Sequence, residues 1–86
     1  MQVGMIVTLD GKTKYFLADE TVQAGIKYFL ANKLDEKENL TENSDILKET
    51  KNGDDTFLNS VEDKELFSYL SAVFTANLIE KVDEME

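Results

Sequence analysis

Residues 19–34, DETVQAGIKYFLANKL, are the stretch on which the fold turns. Val22, Ile26, Phe29, Leu30 and Leu34 fall at i, i+4, i+7, i+8 and i+12, the spacing of one face of an α-helix. Asp19, Glu20 and Thr21 ahead of them suit a helix N-terminus. Gly25 lies on the apolar face, where glycine costs about 1 kcal/mol relative to alanine, so its presence there points to close packing against a neighbouring element. The stretch reads as an amphipathic helix.

Upstream, residues 2–17 read as a β-hairpin. Met1, Val3, Met5, Val7 and Leu9 alternate with Gln2, Gly4, Ile6 and Thr8, and Asp10-Gly11 is a strong short-turn signal. A two-residue loop would set Val7 opposite Lys14, whereas a three-residue loop sets Val7 opposite Tyr15 and Met5 opposite Leu17. The three-residue loop keeps apolar side chains together and is the expected register. Ile6 then pairs with Phe16 on the other face, which implies partial cover there as well.

Downstream, residues 35–45, DEKENLTENSD, lose all periodicity and read as a polar loop between two halves. Residues 45–58, DILKETKNGDDTFL, are ambiguous. They fit a hairpin turning at Asn52-Gly53, with Leu47 opposite Leu58 and Lys51 opposite Asp54, and they also fit a short helix over 44–51 ended by Gly53. The hairpin is preferred, because one isolated hairpin offers two apolar helices too little sheet to cover.

Residues 60–82, SVEDKELFSYLSAVFTANLIEKV, carry the longest helical pattern. Leu66, Phe67, Tyr69, Leu70, Val73, Phe74, Ala76 and Leu78 form one broad arc, wider than a coiled-coil seam. Ser60 and Asp63 resemble a capping box, with Glu62 and Glu65 adding negative charge near the helix start. Asn77 interrupts the arc, which suggests a helix end near it. A shift of 41 residues aligns Phe16-Leu17 with Phe57-Leu58 and Tyr28 with Tyr69, a weak hint of a duplicated unit. The expected architecture is a single small α+β domain over 1–86 in the order ββαββα. Two hairpins form an antiparallel sheet with two amphipathic helices on one face, followed by an acidic tail at 83–86.

Composition limits the function. Eighteen acidic residues against nine lysines, with neither arginine nor histidine, give a formal net charge of −9. Such a surface repels phosphates and anionic lipid, so neither nucleic acid nor membrane is an expected direct partner. Without His or Cys there is no imidazole base, thiolate nucleophile or nitrogen or sulfur metal ligand. The carboxylate pairs lie in polar surroundings that would not raise a pKa for acid catalysis, and no phosphate- or dinucleotide-binding glycine motif is present. The expectation is a non-enzyme with no cofactor and no metal. No apolar run approaches a membrane span, and no basic-then-apolar leader is visible at the N-terminus, so a cytoplasmic location is expected.

Two functions fit these limits. One is a protein-interaction module that docks a partner, basic in character or a second copy of itself, through apolar faces. The other is an acidic mimic of nucleic acid that blocks a basic DNA- or RNA-binding protein. Its candidate contact residues are Asp54, Asp55, Glu62, Asp63 and Glu65, expected to cluster near one hairpin tip and helix start.

Overall fold

The computed structural model describes residues 2–84. Five strands are followed by one helix: β1 (Ile6–Leu9), β2 (Thr13–Gln23), β3 (Ile26–Leu34), β4 (Leu40–Asn52), β5 (Asp55–Ser60) and α1 (Lys64–Glu84). Every strand pairs antiparallel with its chain neighbour in the order β1-β2-β3-β4-β5. The described residues therefore form mostly a curled, nearly closed, barrel-like sheet with a single helix. The expected α+β domain of order ββαββα, with two helices on a sheet, is incorrect.

The error lies at residues 19–34. They form the end of β2, a turn and β3, and their helical spacing is a by-product of a strand covered on both sides. Tyr28 is buried against the helix, together with Ile46, Leu70 and Phe74. Phe29 and Ala31 are buried on the opposite face with Leu17 and Leu47, and Val7, Leu9, Tyr15 and Leu58 pack around them. A strand buried on both faces loses the apolar-polar alternation that marks a half-exposed one.

Gly25 packs against nothing. It sits with Ala24 in the two-residue turn between Gln23 and Ile26, which pair directly. Both turn residues have positive φ, 53° at Ala24 and 78° at Gly25. This is the backbone of a type I′ hairpin turn, which asparagine or aspartate followed by glycine usually signals. Ala-Gly hides it.

The first hairpin matches its expected register: Val7 pairs with Tyr15, Ile6 with Phe16 and Leu9 with Thr13 across a three-residue loop. The Leu17 N–H donates to the Met5 carbonyl at 2.9 Å, which continues the pairing one step further. Met1 lies outside the described residues.

A second hairpin also forms, but its turn is Gly53-Asp54, with Asn52 opposite Asp55 and Leu47 opposite Ser60. Leu58 is opposite Glu49 instead of Leu47. The pairing is offset by two residues, and an even offset leaves every side chain on its expected face. The polar loop is shorter than 35–45. It spans 35–39 and is held by Asp35, whose Oδ1 accepts from the Lys37 and Asn39 amides, each at 2.9 Å. Leu40 already pairs with Leu34. Because Tyr28 is in β3 and Tyr69 is in α1, the 41-residue echo does not mark a repeat.

Two irregularities curl the sheet. Ala18 is an extra residue between the Leu17–Ala31 and Asp19–Leu30 pairs, and a second register shift lies between Asn32 and Leu34. Bulges bend a strand and raise its twist, which brings the sheet's edges toward each other.

The helix starts later than expected and runs past Asn77. Asp63 alone caps it, its Oδ1 accepting from the Glu65 and Leu66 amides at 2.9 and 3.1 Å. Ser60 instead donates its hydroxyl to Asp45 Oδ2 at 2.8 Å, tying β5 to β4. The acidic tail expected at 83–86 falls partly within α1, and Met85 and Glu86 lie outside the described residues.

On the inner face, Lys27 Nζ lies 2.9 Å from Glu20 and 5.2 Å from the centre of the Phe29 ring. The hydrogen bond to Glu20, with the charges of Glu20 and Glu49, raises the Lys27 pKa above its ordinary 10.5, against a smaller opposing effect of burial. A raised folded-state pKa means that the stabilisation is complete below the ordinary value and is lost as pH rises through the folded one. Stability should therefore decline above pH 10.5, and Lys27→Met should flatten that alkaline limb when unfolding is followed across pH. An unchanged limb in the variant would remove the assignment to Lys27. Phe74→Ala, which opens a cavity beneath α1, should cost about 3–5 kcal/mol in urea unfolding. Ala24→Asn should stabilise by roughly 0.5–1 kcal/mol, because asparagine tolerates the left-handed region better than alanine. A lower melting temperature for that variant would contradict the turn geometry.

Candidate functional site

The helix covers the sheet with only part of its apolar surface. Leu66, Leu70 and Phe74, spaced four apart, pack toward Tyr28 and Ile46, with Ile26, Leu30 and Val61 around them. Tyr69 reaches the β2–β3 turn, where its hydroxyl donates to Gln23 Oε1 at 3.0 Å. On the helix's other flank a cleft of about 490 Å³ stays open. Leu30, Ile46, Phe67, Phe74 and Leu78 form its apolar walls, and Asp19, Asn32, Ser44 and Thr75 supply polar edges. Leu78 keeps 61% of its surface exposed and Phe67 37%.

This apolar strip extends beyond the cleft. Directly opposed residues in a sheet share a face, and Ile6, Phe16, Asn32 and Ser44 form one such row across β1 to β4. Asn32 and Ser44 line the cleft, so Ile6, 52% exposed, and Phe16 continue the same face toward β1. The over-wide arc of the last helix was the signal in the sequence: Phe67 and Leu78 belong to that arc and not to the helix's contact with the sheet.

The acidic candidates do not form one cluster. Asp54 and Asp55 lie at the β4–β5 turn, whereas Glu62 and Asp63 follow the far end of β5 and Glu65 sits in the first turn of α1. Asp55 opens β5 and Glu62 lies just beyond its other end, so the length of the strand, about 17 Å at the usual antiparallel rise, separates the two groups. Asp63 is engaged in capping, and Glu62 and Asp63 share a shallow cleft with Lys48.

At the other end of the sheet, Lys12, Lys14 and Lys33 gather around a cleft of about 450 Å³, but Asp35 and Glu36 line it too and Lys14 is paired with Glu38. Its charge is mixed. No polar or charged side chain is buried among the described residues, and no group of three or more potential metal-ligating side chains occurs among them. No helix among them is long and apolar enough to cross a membrane. No family model matches the chain, and neither the curated proteins nor the solved structures contain a match to it.

Proposed function

We propose that this chain is a non-enzymatic protein-interaction module that docks a partner through the cleft between α1 and the sheet. The observation that carries this reading is the open apolar strip formed by Phe67 and Leu78 on the helix and by Leu30, Phe16 and Ile6 on the sheet, above the buried Ile46. An exposed apolar strip rimmed by polar groups is characteristic of a surface that another protein covers. With a formal net charge of −9, the partner that approaches most readily carries lysine or arginine around an apolar ridge. The absence of cysteine suits work in the cytoplasm, where a protein does without disulfides.

The reading as an acidic mimic of nucleic acid has weaker geometric support. A mimic needs carboxylates spaced along one rigid face, and the five candidates are divided between the two ends of β5.

The two readings separate on salt and on mutation. Tagged protein should retain its partner from source-cell lysate in roughly 1 M salt, where the Debye length falls to about 3 Å. The double variant Phe67→Glu/Leu78→Glu should lose that partner at low and high salt alike, with an unchanged melting temperature, because both side chains are exposed. Neutralising Asp54, Asp55, Glu62 and Glu65 to their amides should leave capture intact. If instead the captured protein leaves at high salt and is missing from the neutralised variant, the docking proposal fails and the mimic replaces it.

A further inference from the structure

A second opening lies at the sheet's seam, on the other side of the molecule's inner core. β1 and β5 are the two edges of the sheet and do not pair, yet Val7–Asp10 and Thr56–Ser60 line one shared cleft of about 350 Å³. Beneath it lie Val7, Leu9 and Leu58, packed on the inner cluster of Leu17, Phe29 and Leu47.

The backbone at this seam is available for pairing. The Leu17 amide donates to the Met5 carbonyl, so by antiparallel alternation Val7 and Leu9 bond to β2, while the N–H and C=O groups of Ile6 and Thr8 point away from it. On the other side, the Val61 amide donates to the Ile46 carbonyl at 3.0 Å. The same alternation makes Asn59 and Phe57 bond to β4 and turns Thr56, Leu58 and Ser60 outward. Among the described residues, two rows of backbone groups without a pairing strand therefore border one cleft.

Direction explains why the seam does not close on itself. In a five-strand meander the first and fifth strands run the same way, so direct closure would require a parallel pair in an otherwise antiparallel sheet. A sixth strand running opposite to both would be antiparallel on each side, which completes the even-numbered up-and-down barrel. We propose that the β1–β5 seam binds an extended segment of a partner protein as a sixth strand, by backbone hydrogen bonding to both edges.

The chemistry of that segment follows from the walls. It is short, since β1 has four residues and β5 six. Its alternate side chains are apolar, facing Val7, Leu9 and Leu58, and the others are polar and face solvent. Asp10 borders the seam, and Asp54 and Asp55 stand at the start of β5, so lysine or arginine belongs at its ends. The same acids, with −9 on each copy, set a second molecule of this chain against itself as the occupant. The inference goes beyond the helix-cleft reading and involves different residues.

The test uses the full chain and a synthetic peptide, acetyl-KVTVTVK-amide, with amide hydrogen exchange followed by NMR. At ten times the dissociation constant, exchange at Thr8, Thr56 and Leu58 should slow about tenfold, as mass action requires. The same peptide N-methylated at its three central residues should give no protection. Thr8→Pro removes an outward donor and no β1–β2 ladder bond, and should weaken binding about fivefold, one hydrogen bond's worth. Unchanged exchange at saturating peptide overturns the proposal. So does equal protection by the N-methylated peptide, which would mean that binding bypasses the backbone. Protection that rises with protein concentration alone would give the seam to a second copy and likewise overturn it. Phe67→Glu/Leu78→Glu should bind the peptide normally, so failure at the helix cleft and failure at the seam are read separately.

Discussion

Burial of β3 on both faces is the constraint on which the rest of the molecule depends. A central strand with Tyr28 on one side and Phe29 on the other needs two separate covers. The helix supplies one and the curl of the sheet the other. Neither cover suffices alone, because a sheet of five strands in an 86-residue chain has little apolar area to spare and an uncovered face would leave aromatic surface in water. The bulge at Ala18 belongs to the same requirement, since a flat sheet could not bring Val7, Leu9 and Leu58 over the inner cluster.

That constraint also explains what was legible in the sequence. The first hairpin was readable down to its register because β1 is half exposed and alternates. The last helix was readable because Leu66, Leu70 and Phe74 recur on one side of it. The middle of the chain was not, for two physical reasons. β3 carries apolar residues on both faces, so helical spacing arises among Ile26, Phe29, Leu30 and Leu34 without any helix. The β2–β3 turn uses Ala24 in a left-handed conformation, so the composition that marks a type I′ turn is missing. β4 was unreadable at its start for the opposite reason: from Leu40 to Asp45 it has one apolar residue and is held by its pairing with β3 rather than by its side chains.

The candidate surface was partly foreshadowed. The width of the apolar arc on the last helix exceeded what one sheet contact could use, and the excess, Phe67 and Leu78, borders the open cleft. The acidic residues are close in sequence but not in space. Asp54-Asp55 and Glu62-Asp63 are eight positions apart, and a strand turns eight positions into nearly the length of the sheet. Charge is a property of the whole surface rather than of one patch.

The order of the elements, helix after sheet, bears on folding. Each strand pairs with the one made just before it, so the sheet can assemble as the polypeptide is synthesised, from local contacts that favour rapid folding. Its outer cover comes from the 21-residue α1, which follows all five strands. Sheet pairing that runs ahead of helix docking leaves Tyr28, Leu30 and Ile46 facing water until α1 settles over them. A partly folded chain of that kind exposes an apolar face at which chaperone binding competes with aggregation.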